Sequence, residues 1–177
     1  MSEKYDSRED TNKHIERVSE LIGGIRDELA LRGTFHDASK TKDPEKPIFD
    51  EVTPLLRGMT YGSEEYKESI AKMKPALDHH YGYNRHHPEH FENGIMDMNL
   101  IDILEMLADW KAAGERHADG CIERSLEVNE ERFQIPEALI IILKNTVNEL
   151  GWGKTEKNTI GELLGDLYSE EYRQENK

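Results

Sequence analysis

The sequence predicts an all-α fold, a single-domain irregular helical bundle. Apolar residues recur at steps of three and four along several segments, which is typical of amphipathic helices. No strand-like alternation persists, and no period of 20 to 50 residues repeats. A length of 177 residues fits one domain. We therefore assign residues 1–153 to one helical domain and residues 154–177 to a C-terminal helical tail.

The first predicted helix spans residues 8–32 and carries one apolar stripe. Gly33 follows it at a position where glycine commonly ends a helix. His14 extends the stripe, so we expect this histidine to point toward the core. The members of the stripe are Ile15, Val18, Leu21, Ile22, Ile25 and Leu29.

Four further helices are predicted after the proline-containing segment 34–62, which is expected to form short pieces and loops. They span residues 63–80, 99–115, 120–133 and 136–150. Pro75 predicts a kink or a break in the first of them. The helix at 99–115 is apolar nearly all round, which indicates a buried central element.

The charge balance excludes several classes of partner. There are 37 acidic against 23 basic residues, a formal net charge of -14. Such a surface repels nucleic acid backbones and anionic lipid, so we expect neither a nucleic-acid polymer nor a membrane as partner. A phosphate-bearing substrate would have to be attracted locally, by a metal or by a few placed cations.

The cysteine content and the N-terminus indicate a cytoplasmic protein. Cys121 is the only cysteine, which excludes an intrachain disulfide framework and a cysteine-based zinc site. The first ten residues are polar, and no run approaches the roughly 20 apolar residues that a membrane span requires.

Four residues form a candidate metal site. His36-Asp37 pairs a nitrogen ligand with an anionic oxygen ligand, which suits a divalent transition metal. Asp109 lies among apolar neighbours, where a carboxylate is costly unless it is paired or binds a metal. His14 completes the set. The alternatives are a helix-capping role for Asp37 and a salt bridge from Asp109 to Arg17 or Arg26.

Five of the eight histidines lie between residues 78 and 93, in a segment that we interpret as a loop. Such a concentration indicates either a functional loop or a solvated polar one. The five are His79, His80, His86, His87 and His90.

These motifs resemble those of the HD-domain metal-dependent phosphohydrolase superfamily, whose members carry a His, a His-Asp pair and a distant Asp. The pair continues as His36-Asp37-Ala38-Ser39-Lys40, similar to the His-Asp-x-x-Lys of cyclic-dinucleotide phosphodiesterases. Three segments, His-Asp-x-Ser-Lys, His-His-x-x-x-Asn-x-His-His and Glu-Met-x-Ala-Asp-Trp, look like an uncharacterised HD-related family of phages and bacteria. That closer resemblance covers roughly residues 14–152 and implies no particular substrate.

The resemblance implies an HD-type fold and one or two divalent ions, with Mn, Fe, Co, Ni or Zn as the candidates. The ligands of the first ion would be His14, His36, Asp37 and Asp109. Loop histidines would hold a second ion, and His80 and His87 are our choices among the five. Glu105, one helical turn before Asp109, would either hydrogen-bond a ligand histidine or face solvent.

The resemblance also implies hydrolysis of a small phosphate ester, with a nucleotide as the expected substrate. Asp37 would lie at the reacting centre, while Lys40 and Arg85 would stabilise the phosphate.

Two other functions fit the same residues. Some HD-fold proteins are dinuclear iron oxygenases with a similar His/Asp ligand set. A non-catalytic protein in which the metal only supports the fold is the third hypothesis. A homodimer is compatible with the composition, although no interface is visible in the sequence.

Overall fold

The computed structural model describes residues 5–56, 63–116 and 120–153, and over these residues it contains helices and no strand, which confirms the all-α prediction. The predicted tail at 154–177 lies outside the described residues. No helix in the described ranges combines the length and the apolar character needed to cross a bilayer. The α-helices of these ranges are α1 (Arg8–Phe35), α2 (Glu45–Leu56), α3 (Glu64–Tyr83), α4 (Leu100–Gly114), α5 (Ile122–Phe133) and α6 (Glu137–Glu149).

The described residues form two compact units. Residues 5–56, 63–92 and 98–105 belong to the first unit, and residues 93–97, 106–116 and 120–153 belong to the second. The boundary passes through α4 after Glu105.

In the first unit, α2 packs along α3, and a short 3₁₀ helix at Ala38–Thr41 contacts both. The apolar side chains of Val52, Met73 and Ala76 are buried there. Helix α3 continues through Pro75, which excludes a break at this proline, while the alternative, a kink, stays a prediction. Packing along α2 stabilises α3 and offsets the loss of one backbone hydrogen bond at the proline.

Helix α1 starts at Arg8, as predicted, but continues past Gly33 to Phe35. None of its residues is buried, and Ile15, Ile22 and Ile25 are each more than half exposed. The expectation that the α1 stripe faces the core of its own chain is therefore wrong for this structure. The last turns of α1 do contact another helix, since Arg32 donates hydrogen bonds to Asp102 and Glu105 on α4.

In the second unit, α5 packs on α6, and Trp110 stacks on Phe133 with ring centroids 6.1 Å apart. Helix α6 ends as predicted near Gly151, which has a φ of 63°, a left-handed conformation that glycine adopts without strain. The buried apolar side chains of this unit are Ile95, Met106, Leu107, Ile122, Leu126, Ile135, Ile140, Leu143 and Val147.

The first turn of α4 is organised around Asp102, which is fully buried. Asn99 Oδ1 accepts hydrogen bonds from the backbone N–H groups of Ile101 and Asp102, and Asp102 Oδ2 accepts one from the Asn99 N–H, a reciprocal helix cap. The same carboxylate accepts two hydrogen bonds from Arg85, at 2.9 and 3.1 Å, and one from Arg32 at 3.0 Å. Asp102 therefore connects α1, the segment after α3 and α4.

We expect Asp102→Asn to lower the free energy of unfolding at pH 7 by about 1–3 kcal/mol, because the partly exposed Arg85 loses its buried anion while Arg32 keeps Glu105. Burial by itself raises the pKa of Asp102, but Arg85, the Asn99 N–H and Arg32 hold that pKa below its ordinary value. The carboxylate therefore stabilises the fold above pH of about 4, and this contribution disappears as the pH falls further.

Urea unfolding of wild type and Asp102→Asn at several pH values measures this effect. The difference in unfolding free energy should shrink as the pH falls below about 4. The matched control is Asp27→Asn, since Asp27 pairs with Arg26 on the exposed face of α1 and should contribute little. A difference that stays constant with pH would contradict the assigned role of the Asp102 charge.

Candidate metal centre

A sharp turn after α1 presents the His36-Asp37 pair. Asp37 has a φ of 57°, in the left-handed region, which aspartate tolerates better than most residues with a side chain. The 3₁₀ helix Ala38–Thr41 follows immediately, and its Ser39 is buried. This local conformation places both side chains at the end of α1, facing the segment that ends α3.

Four side chains bring one ligand atom each to within 4.8 Å of one another. Asp37 comes from the turn after α1, His80 from α3, and His86 and His87 from the segment that follows α3. His80 Nε2 lies 2.9 Å from His87 Nε2 and 3.2 Å from Asp37 Oδ1. Ligand atoms around an ion with bonds of 2.0–2.1 Å are about 3.3 Å apart in a tetrahedron, so these separations suit a metal. We call Asp37, His80, His86 and His87 the four-donor cluster.

Two buried atoms in the four-donor cluster carry a specific signal. Asp37 Oδ1 and His86 Nε2 have no hydrogen-bond partner in the described part of the chain, and they lie 3.6 Å apart. His80 Nε2 is close to Asp37 Oδ1 but out of line for a hydrogen bond. Buried polar atoms without a partner are costly, and a cation between them would satisfy both. The residues therefore fit a metal ion.

A buried carboxylate lies behind each of two cluster histidines. The fully buried Glu45 approaches His80 Nδ1 at 3.0 Å, and Glu105 approaches His86 Nδ1 at 3.1 Å. A carboxylate only accepts hydrogen bonds, so Nδ1 is the donor to its glutamate, and in a neutral ring Nε2 then presents a lone pair. Histidine ligands of metals are commonly held in this way.

The same two glutamates hold neighbouring histidines. Glu45 Oε1 lies 2.7 Å from His79 Nδ1, and Glu105 Oε1 lies 3.1 Å from His36 Nδ1. His36 Nε2 in turn lies 3.7 Å from Asp37 Oδ2. Each glutamate thus orients two imidazole rings.

The electrostatics keep both acids of the site ionised. Burial by itself raises the pKa of Asp37, but His80 and the Lys40 ammonium hold that pKa well below its usual range. Burial likewise raises the pKa of Glu105, and His36, His86 and Arg32 lower it overall. Both carboxylates are therefore negative at neutral pH, as metal ligation and histidine orientation require.

Two of the predicted catalytic residues are cations with partners in the structure. Lys40 Nζ donates to Asp37 Oδ2 at 2.6 Å and remains partly exposed at the edge of the four-donor cluster. Arg85 binds Asp102 through two hydrogen bonds and lies 4.9 Å from the ring of Phe91. Arg85 thus has a structural contact, while its catalytic role stays a prediction.

The structure does not bring His14 to this site. Helix α1 is continuous from Arg8 to Phe35, and His14 precedes His36 by a helical length of about 33 Å. Within one chain, His14 and His36 cannot share an ion, and we correct the expectation that they do. His14 is exposed, because the stripe that contains it does not face the core.

Asp109 lies on α4, half-buried, one helical turn after Glu105. Its assignment as a ligand stays a prediction. The two arginines proposed as alternative partners pair elsewhere, Arg17 with Glu20 and Arg26 with Asp27.

The histidine-rich segment differs from the predicted loop. Helix α3 extends to Tyr83, so His79 and His80 are helical, in agreement with the helix predicted over residues 63–80, and the loop interpretation is wrong for residues 78–83. Of the five histidines of this segment, the sequence favours His80 and His87 as ligands and not His86. The structure shows that His86 is 2% exposed and central to the four-donor cluster. The sequence does not indicate that Glu45 orients His79 and His80, because an acidic residue in the first turn of a helix is usually explained by its favourable interaction with the helix dipole.

We expect His86→Ala to remove a bound transition metal, because it deletes a donor at the centre of the four-donor cluster. Elemental analysis of protein purified without chelator gives the metal per chain. His14→Ala is the matched control, a histidine on the exposed surface of α1 that should leave the metal content unchanged. Equal metal content in all three proteins would refute the assignment of this cluster.

We expect Glu45→Gln to weaken metal affinity by about 10- to 100-fold, because the amide no longer fixes the tautomers of His79 and His80. Competition with a chromogenic chelator measures the affinity. Glu51→Gln, on the exposed side of the same helix, should have wild-type affinity. An unchanged affinity in Glu45→Gln would mean that Glu45 only supports packing.

The comparison with known proteins yields one match. A family model described as a family of unknown function (DUF5662) matches residues 3–150. No curated protein and no solved structure matches the chain significantly. Because the family model covers most of the sequence, including every member of the four-donor cluster and both orienting glutamates, the chain belongs to the DUF5662 family.

Proposed function

We propose that this chain is a metal-dependent hydrolase of small phosphate esters, of the HD type. The observation that carries the proposal is the four-donor cluster, in which two buried ligand atoms face each other without a hydrogen bond. A partly exposed lysine lies beside this cluster. These features combine a site for an ion with a cation that can contact a phosphate.

The proposed ligands are Asp37 Oδ1 and the Nε2 atoms of His80, His86 and His87. Three imidazoles with one carboxylate suit a divalent ion between Mn and Zn. Such an ion, when bound, supplies Lewis-acid activation of water and neutralises phosphoryl charge. His36, His86 and Glu105 also lie close enough to hold an ion. We propose only one ion, in the four-donor cluster, since the Nδ1 atoms of His36 and His86 already contact Glu105.

The residues around the ligands prepare them for this task. Glu45 and Glu105 favour the imidazole tautomer that offers Nε2 to an ion. Their burial excludes water that would compete for the same hydrogen bonds. The geometry of the ligands is therefore set before a substrate arrives.

Lys40 is the proposed contact to substrate. Its Nζ is held at Asp37 Oδ2, the oxygen that is not a proposed ligand, and the side chain is 39% exposed. A phosphate oxygen can accept a hydrogen bond from the same ammonium. Because the chain carries a net charge of -14, such a local cation matters for attracting an anionic substrate. Arg85 is the proposed second contact, and nucleotides are the proposed substrates by resemblance.

A second candidate function is a metal site that only stabilises the fold. The specific observation in its favour is the number of donors, because four protein ligands complete a tetrahedral site and leave no open position. Chelation should then lower the melting temperature, and no phosphate ester should be hydrolysed by the metal-loaded protein.

We expect metal-loaded wild type to hydrolyse at least one nucleoside phosphate in a screen with Mn, Co and Ni. We further expect Lys40→Ala to lower kcat/KM by about 100-fold, while the metal content stays at the wild-type value, because the lysine contacts substrate and is not a ligand. Release of inorganic phosphate is the measurement. The exposed Lys42→Ala is the matched control and should retain full activity.

Different outcomes separate the three hypotheses. Stoichiometric metal without hydrolysis, together with a lower melting temperature after chelation, would favour the structural site. Bound iron with oxygen consumption would favour an oxygenase. Hydrolysis that is equal in wild type and Lys40→Ala would refute the assignment of Lys40.

A further inference from the structure

Helix α1 presents an apolar face that its own chain leaves uncovered in the described residues. Over its first three quarters the apolar side chains are 39–60% exposed, including Val18 at 39% and Ile22 at 60%. Only near its end do side chains become half-buried, at Leu29 and Arg32. About 20 residues, or 30 Å of helix, therefore lack a partner along their apolar side among the residues that the structure describes.

The apolar residues of this face follow a seven-residue repeat. Ile15, Ile22 and Leu29 are seven apart, and Val18 and Ile25 fall three residues after the first two of them. This is the a and d spacing of a coiled coil, in which two helices pack along a continuous seam. We call Ile15, Val18, Ile22, Ile25 and Leu29 the α1 seam.

Intrinsic propensity does not account for the stability of α1. It contains Gly23, Gly24 and Gly33, and a Cβ at any of them would have no neighbour within 4 Å. These glycines are therefore not required by close packing within the chain, and each disfavours a helix. Helices in proteins are stabilised mainly by burying an apolar face, which indicates that the α1 seam is covered in the working protein.

The charges on α1 favour a second copy of this chain as the partner. The helix carries five basic and six acidic residues, a net charge of -1 over 28 residues, whereas the chain average of -14 over 177 residues corresponds to about -2 for the same length. Two copies can therefore approach along α1 with less repulsion than along an average stretch of this chain. The positions that flank the seam do not place like charges against each other in bulk, because they contain one basic and one acidic residue and are otherwise uncharged. They are His14, Ser19, Leu21, Arg26, Glu28 and Gly33.

We propose that two copies of the chain associate through the α1 seam as a two-stranded coiled coil. The seam covers two heptads and the first position of a third, and the next seam position is Arg32, which binds Asp102 and Glu105 instead. The coiled coil therefore continues directly into the turn that presents His36 and Asp37. This proposal is independent of the metal and of any catalytic activity.

Sedimentation equilibrium of the full chain tests the proposal. Wild type should have a mass twice that of the 20.5 kDa chain at micromolar concentration and above. The double variant Ile22→Lys/Ile25→Lys should be a monomer, because two charges per helix interrupt the seam. Its metal content should equal that of wild type, since neither side chain is buried in one chain. Its far-UV circular dichroism should lose at most the helical signal that α1 contributes.

The matched control is Ile141→Lys/Ile142→Lys on α6, whose side chains are similarly exposed at 50% and 56%. This variant should stay dimeric. As a second measurement, Ile22→Cys in a Cys121→Ser background should form an interchain disulfide at least tenfold faster than Ile141→Cys in the same background. A monomeric wild type, or a dimer that survives Ile22→Lys/Ile25→Lys, would overturn the proposal, whatever other partner then covers α1.

Discussion

The hydrogen bonds of Glu105 are the interaction on which the rest of the site depends. One buried carboxylate contacts Arg32 at the end of α1, His36 in the following turn and His86 in the segment after α3. Asp102, one turn earlier on α4, adds Arg85 and a second bond to Arg32. Buried charges are tolerated only when they are paired in this way, so the network fixes all these segments together.

The histidines illustrate how a fold can prepare a common side chain to bind a metal. His80 and His86 have an ordinary imidazole, but a buried glutamate beside Nδ1 orients each ring so that Nε2 lies 3.2 or 3.6 Å from Asp37 Oδ1. Asp37 remains ionised because Lys40 and the imidazoles offset the cost of its burial. The three features are mutually dependent, since losing the negative charge of either acid would disturb the donor set.

The site could be predicted from sequence only in part. Asp37 is a candidate because it belongs to a His-Asp pair, and His80 and His87 are candidates because the resemblance to HD-domain proteins implies loop histidines as ligands of a second ion. The sequence does not distinguish His86 from its neighbours, since a loop has no regular period that would indicate which of its side chains point inward. His14 was misassigned because helical spacing reports which residues share a face but not whether the chain covers that face.

The sequence by itself determined the all-α class, five helix positions and the candidate ligand types, because these follow from local spacing, turn residues and side-chain chemistry. Only the tertiary structure decided which ligands meet. Glu45 and His80 are 35 residues apart, and Glu105 lies 69 residues from His36. Contacts over such separations depend on how helices pack, and buried carboxylates select their partners from the side chains that packing brings near.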